Sequence, residues 1–164
     1  MESNLKECSK RQETTIANAL GWNVVSGSGS RSCKPGDVIG DRWLGECKTH
    51  AKDNHPILLT PRMWKKIKNE AMAKFKFPVL FGDDGSQQLE NTWCVIPNIL
   101  TIPNAYTEYI QEYPFDIKEN LRFRNVDLKS FGISKDSGFS IFIINWADDI
   151  CYLMTFTAFR EIFC

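Results

Sequence analysis

The chain has 164 residues, 43% of them hydrophobic and 24% charged, which is an ordinary globular balance for one domain that can bury a core. It contains no run of about 18 apolar residues, so a membrane-spanning helix is excluded. The N-terminus lacks the apolar segment of a signal peptide, and the six cysteines have no framework spacing. We therefore expect a single domain over residues 1–164, inside the cell, with free thiols.

The total charge is zero, but the charges are unevenly distributed. Residues 1–76 contain 14 Lys and Arg against 8 Asp and Glu, and residues 77–164 contain 6 against 12, so the two parts carry +6 and −6. Attraction to phosphate depends on local potential, so we expect the basic part to contact nucleic acid, with Lys65 and Lys68 as DNA-binding residues. The alternative is that these lysines form a solvated helix face.

The first elements in chain order are a helix and three strands. A helix is predicted over residues 3–20, and Gly21 follows it as a helix-terminating residue. Strands are predicted over 22–25, 37–40 and 42–48, with Gly40-Asp41 forming a hairpin turn.

A glycine- and serine-rich run, Ser26 to Ser32, lies between the first two predicted strands. Just before Asp37, the backbone amides of this run and Arg31 favour contact with a phosphate or with DNA, and a plain flexible connector is the alternative. The residues assigned to this contact are Ser28, Ser30, Arg31 and Lys34.

The next helix is predicted to begin at Pro61, with Thr60 as its N-cap. Its apolar positions at helical spacing, which should form a buried stripe, are Met63, Trp64, Ile67, Ala71 and Phe75. The remaining predicted elements are strands at 77–81 and 93–96, a helix at 105–112, strands at 139–146 and 150–156, and a helix at 157–163.

The acidic residue Asp37 and the pair Glu46-x-Lys48 form the most informative motif. In an extended strand Glu46 and Lys48 point to one face and Cys47 to the other. The predicted hairpin brings Asp37 close to both. Hard oxygen ligands beside a cation suit Mg²⁺, with Mn²⁺ as a substitute.

The order helix, glycine, strand, Gly/Ser run, Asp37 and Glu46-x-Lys48 resembles, over roughly residues 10–82, the PD-(D/E)XK nuclease superfamily. It is most similar to the phage and archaeal Holliday-junction-resolvase-like branch. The resemblance implies an α/β fold with a restriction-endonuclease-like core, in which helices flank a central mixed β-sheet. That core would comprise residues 3–96 and 139–163, with 97–138 as an insertion in a C-terminal elaboration.

The resemblance also implies roles for individual residues. Asp37, Glu46 and the backbone carbonyl of Cys47 would hold the metal, and Lys48 would be the catalytic lysine. Glu13 would be the helix carboxylate that completes the metal site, with Glu7 as the alternative because Glu13 lies only eight residues before Gly21.

The implied function is Mg²⁺-dependent hydrolysis of DNA phosphodiester bonds by a homodimeric Holliday junction resolvase that acts on branched DNA. Its expected location is the cytoplasm of a prokaryotic or phage-infected cell. Two alternatives stay open: a sequence-specific or nicking endonuclease of the same superfamily, and a non-catalytic DNA-binding protein on the same fold. A zinc site at Cys33, Cys47, His50 and His55 is disfavoured, because the usual paired-cysteine spacing is missing.

Overall fold

The computed structural model describes residues 2–27, 34–131 and 138–164. The helices within these ranges are α1 Glu2–Leu20, α2 Pro61–Ala73, α3 Asn125–Ser130 and α4 Phe156–Phe163. The strands are β1 Asn23–Val24, β2 Val38–Ile39, β3 Trp43–Lys48, β4 Ile57–Leu59, β5 Phe77–Asp83, β6 Thr92–Pro97, β7 Ile110–Glu112, β8 Leu121–Phe123, β9 Ile141–Trp146 and β10 Asp149–Thr155.

Eight of the described strands form one mixed sheet, in the order β1-β2-β3-β5-β6-β10-β9-β7. β3 pairs with β5 and β7 with β9 in parallel, and the other neighbouring strands are antiparallel. β4 and β8 form a separate antiparallel pair. The class is therefore α/β with a mixed central sheet flanked by helices, as the sequence predicted.

The sheet is covered on both faces, because its strands alternate their side chains between two apolar clusters. Trp43 and Cys47 of β3 belong to the cluster that contains α1 and α4. Leu44 belongs to the other cluster, with Trp64 and Ile67 of α2 and with residues of β4 and β8. β3 is thus buried from both sides, which fixes the orientation of its polar residues.

Two local signals in the sequence correspond to observed helix ends. Gly21 has a positive φ of 67° directly after α1, and Trp22 N donates to Ala17 O at 2.8 Å. At the start of α2, the hydroxyl of Thr60 accepts a hydrogen bond from Met63 N at 3.3 Å. Both predicted helix boundaries are confirmed, and so is the hairpin between β2 and β3.

The buried stripe predicted for α2 is wrong at Phe75. Trp64, Ile67 and Ala71 are buried, but the side chain of Phe75 is 99% exposed. α2 ends at Ala73, and Phe75 has a positive φ of 55°. The chain therefore leaves the helical phase before Phe75, and the spacing that placed it on the buried face no longer applies.

The helix predicted over residues 105–112 is also wrong. Residues Asn104–Tyr109 form a 3₁₀-helix and Ile110–Glu112 form β7, which pairs with β9. This pairing joins segments about 30 residues apart, and such a contact leaves no periodic signal in a three-residue strand. The short strands β4 and β8 were missed for the same reason.

Two strands within residues 97–138 pair with the rest of the fold, since β7 extends the main sheet and β8 pairs with β4. Their description as an insertion stays a prediction. Within the described ranges, no helix combines the length and the apolar character needed to cross a membrane.

Gly45 in the centre of β3 gives a test of the packing that holds the sheet. A Cβ atom at this position would lie 2.7 Å from Val38 Cγ2 and 2.8 Å from Phe81 Cε2, and both of these side chains are fully buried. We expect Gly45→Ala to lower the free energy of unfolding by about 1–3 kcal/mol, measured by urea denaturation.

The control is the same substitution in a Val38→Ala background, where one of the two close contacts is removed. The loss caused by Gly45→Ala should then be smaller, because the two sites share a contact. Equal losses in both backgrounds would show that Val38 does not limit the space at Gly45.

Candidate functional site

The site forms where β2 and β3 separate. Their backbone pairing ends at Val38 and Gly45, beyond which Asp37 N donates to Gly45 O at 2.7 Å. The amide of Cys47 donates to Asp37 Oδ2 at 2.8 Å. Beyond the last residue pair of β2 and β3, the side chain of Asp37 thus accepts the hydrogen bond from the Cys47 amide. This contact fixes Asp37 beside the Glu46-x-Lys48 segment.

Glu46 is a nearly buried carboxylate, with 4% of its surface exposed. Its Oε1 lies 2.6 Å from Lys48 Nζ and its Oε2 lies 3.0 Å from Lys66 Nζ. Burial raises the pKa of Glu46, but the two lysines more than offset this effect, so its pKa lies below the usual value. Glu46 is therefore held as a carboxylate by cations on both of its oxygens.

Lys66 belongs to a second ion pair on α2. Its Nζ lies 3.6 Å from Glu70 Oε1, one helical turn further along, and Glu70 Oε2 accepts from Gly36 N at 2.9 Å. Gly36 directly precedes Asp37, so α2 contacts the segments that carry both strand carboxylates. Burial lowers the pKa of Lys66, but its contacts with Glu46 and Glu70 raise it above the usual value.

Helix α1 brings a third carboxylate to the same place. Gln12, which is 1% exposed, donates from Nε2 to Lys48 O at 2.9 Å and so attaches α1 to the end of β3. The neighbouring residue Glu13 has its pKa raised to about 7, by burial and by the negative charges of Asp37 and Glu46. Glu13 therefore lies close enough to Asp37 and Glu46 for their negative charges to raise its pKa.

An open cleft of about 780 Å³ joins these elements. Glu13, Asp37, Cys47 and Lys48 line it together, and Lys6 and Lys10 of α1 add exposed positive charge. The alternative helix carboxylate Glu7 does not line this cleft but a neighbouring shallow groove, with Lys10 and Arg11. The geometry favours Glu13 over Glu7 as the helix carboxylate.

The predicted DNA-binding residues are placed in several regions. Lys65 Nζ lies 3.2 Å from Asp148 Oδ2, and Lys68 pairs with Asp149. Both lysines therefore have acidic partners in the chain, and their contact with DNA stays a prediction. Lys34 is exposed, and the loop residues Ser28, Ser30 and Arg31 lie outside the described residues.

Sequence reasoning missed three residues of the site: Gln12, Lys66 and Glu70. The pair Lys66 and Glu70 has the i, i+4 spacing of a helical ion pair, which was a usable signal. The contact of Lys66 with Glu46 could not be predicted from the sequence, because this contact depends on how α2 lies across β3. Gln12 could be identified only from its contact with Lys48 O.

The donor set suits a divalent cation in its chemistry. Burial and the charge of Glu46 raise the pKa of Asp37, so the carboxylates destabilise one another as anions and a cation between them would relieve this. In the arrangement observed, no group of three or more His, Cys, Asp or Glu among the described residues is placed to hold a metal ion. Both oxygens of Glu46 contact lysines, so a metal ion at Glu46 would compete with these ammonium groups for the carboxylate.

The alternative zinc site has a different geometry. The rings of His50 and His55 stack on each other with centroids 5.2 Å apart, and Cys47 is buried on the face of α1 and α4. Burial also raises the pKa of the Cys47 thiol well above its usual value, which disfavours the thiolate that zinc requires. Cys33 lies outside the described residues.

Comparison with known proteins gives no match among protein-family models, curated protein sequences or solved structures. The assignment of a function therefore rests on the geometry and chemistry of the site.

The raised pKa of Glu13 predicts a pH-dependent stability in metal-free protein. Its usual value of 4.5 applies to the unfolded chain and about 7 to the folded one, so the native state binds more protons between these values. The free energy of unfolding of the wild type, relative to Glu13→Gln, should therefore fall as the pH rises from about 4.5 to about 7. Urea denaturation in EDTA across this range measures the difference.

Glu7→Gln is the matched control, because it removes one exposed carboxylate from the same helix. The quantity compared is the difference in free energy of unfolding between the wild type and each variant. If this difference varies with pH no more for Glu13→Gln than for Glu7→Gln, the pKa of Glu13 is not raised.

Proposed function

We propose that the chain is a metal-dependent DNA endonuclease of the PD-(D/E)XK type. The observation that carries this proposal is the convergence of three carboxylates beside Lys48 from separate segments of the chain: Glu13 and Asp37 line an open cleft, and the buried Glu46 lies next to them. An ordinary structural ion pair does not need three carboxylates close together, two of which, Glu13 and Asp37, have raised pKa values. A site that takes up a divalent cation does, since the cation offsets their repulsion.

The arrangement of elements gives further support. A helix with a carboxylate, a hairpin with Asp37 and Glu46-x-Lys48, and a parallel strand after a second helix follow one another in the order expected from the resemblance. Asp37 and Glu46 would hold the ion with the Cys47 carbonyl, and Glu13 would complete the set or bind its waters. The ion would supply a water of lowered pKa and offset charge on the phosphate.

The residues of the chain have their own roles in this proposal. Lys48 lies at the cleft end of β3, where its ammonium can orient the attacking water and neutralise the charge that develops on the phosphate. The exposed Lys6 and Lys10 attract the DNA backbone into the cleft. Asp37 is already oriented by the Cys47 amide, so one ligand is preorganised.

Within this function we propose branched DNA as the substrate and a twofold homodimer as the active form. Two sites facing opposite strands would allow paired cuts in a four-way junction. The alternative, a sequence-specific or nicking endonuclease, is separated by comparing a four-way junction with a linear duplex of the same sequences. Preference for the junction supports resolution, and equal cutting of both substrates excludes it.

The metal ligands give the most direct test of the activity. Asp37→Asn and Glu46→Gln each remove a carboxylate charge at similar volume, so Mg²⁺-dependent cleavage of either DNA substrate should be abolished. DNA binding in EDTA should remain or become tighter, because less negative charge faces the phosphates. Cleavage at the wild-type rate by both variants would exclude the proposed site.

Lys48→Ala is the control that retains both metal ligands. It should still bind Mn²⁺ but cleave on the order of 10²–10³-fold more slowly, as is typical when one transition-state contact is lost. If the variant cleaves as fast as the wild type, Lys48 is only the end of a strand.

The DNA-binding face is tested by the salt dependence of binding. The reversals Lys6→Glu and Lys10→Glu together should weaken binding and reduce the slope of log affinity against log salt by about 0.9 per lost phosphate contact. The matched control is the double reversal of Arg122 and Arg124, two exposed residues at β8 and the start of α3. Equal slopes for both double variants and the wild type would exclude α1 as the DNA-binding face.

A further inference from the structure

Both oxygens of Glu46 form ion pairs in the arrangement observed. Lys48 Nζ lies at one oxygen and Lys66 Nζ at the other. A divalent cation that binds Glu46 would lie beside these ammonium groups and repel them, so it competes with them for the carboxylate. The two lysines differ in what else holds them, and this difference decides which one can leave.

Lys66 has a second anionic partner, since its Nζ is also 3.6 Å from Glu70 Oε1. Glu70 is itself fixed, because its other oxygen accepts from Gly36 N at 2.9 Å. Lys66 lies on α2 and is half exposed, whereas Lys48 lies on β3, in the same strand as Glu46. Lys66 can therefore leave Glu46 and remain paired with Glu70.

We propose that Lys66 is an exchangeable counter-ion of Glu46, which competes with the divalent cation for this carboxylate and is retained by Glu70 when the cation binds. This inference rests on the proposed metal site and adds a positioning residue to it. Lys66 keeps Glu46 charged and oriented when no ion is present, and Glu70 lowers the cost of releasing it. The proposal gives the two neighbouring residues of α2 opposite effects on metal affinity.

The test measures Mn²⁺ binding alone, without DNA, from the loss of the free-ion electron paramagnetic resonance signal. Lys66→Met removes the competitor and should raise Mn²⁺ affinity on the order of tenfold, a typical size for residues that contact metal ligands. Glu70→Gln leaves a carbonyl oxygen for Gly36 N but removes the charge that receives Lys66, so Mn²⁺ affinity should fall. A purely structural role for Lys66 predicts a loss of affinity instead of a gain.

The double variant separates exchange from a general effect of charge. If Glu70 acts through Lys66, adding Glu70→Gln to Lys66→Met should change Mn²⁺ affinity no further. If the two charges act only through their fields, the effects will add, and additivity overturns the proposal. Lys74→Met, which removes an exposed lysine just after the end of the same helix, should leave the affinity unchanged.

Asp37→Asn distinguishes failure of this inference from failure of the proposed function. If Asp37→Asn binds Mn²⁺ as well as the wild type does, the metal site itself is wrong. If Asp37→Asn abolishes binding while Lys66→Met leaves the affinity unchanged, the metal site stands and the exchange of Lys66 is excluded.

Discussion

The burial of Glu46 inside the sheet is the constraint on which the candidate site depends. A carboxylate that loses most of its hydration stays charged only if nearby cations or donors compensate for the loss. Lys48 provides one cation from the same strand, and Lys66 provides another from α2. The position of α2 over β3 therefore has an electrostatic cause in addition to its apolar packing. Because α2 also carries Glu70, which binds Gly36 N, the same helix orients the segment before Asp37.

The separation of β2 from β3 places an open cleft beside this buried charge. If the two strands had continued to pair, the amide of Cys47 would face a backbone carbonyl and no cleft would open there. Instead Asp37 accepts from that amide through its side chain, and α1 attaches to Lys48 O through Gln12. Glu13 then faces the gap from the helix. A strand end, a strand interior and a helix thus each contribute one carboxylate to the same place.

Much of the fold could be predicted from the sequence, because its signals are local. Gly21 ends α1, Thr60 caps α2, and the apolar positions of α2 repeat with helical spacing. Phe75 shows the limit of this reasoning, since its spacing fits the stripe although the helix has already ended. The strands β4, β7 and β8 have three residues each and depend on partners far along the chain. The candidate site was predictable where its residues share a hairpin. Lys66 was not, because its contact with Glu46 depends on how α2 lies across β3.

The charge asymmetry of the sequence is partly cancelled by ion pairs in the folded chain. Neighbouring lysines of α2 contact different acidic residues, because the side chains of successive helical residues point about 100° apart. Lys66 turns to Glu46, whereas Lys65 and Lys68 pair with the two acidic residues at the β9–β10 turn. Part of the basic charge of the first half is therefore neutralised by the acidic second half. The exposed lysines of α1 beside the cleft remain available to a polyanion, while Glu46 is buried. The local potential at the cleft, and not the sum over 76 residues, thus decides whether DNA is attracted to this site.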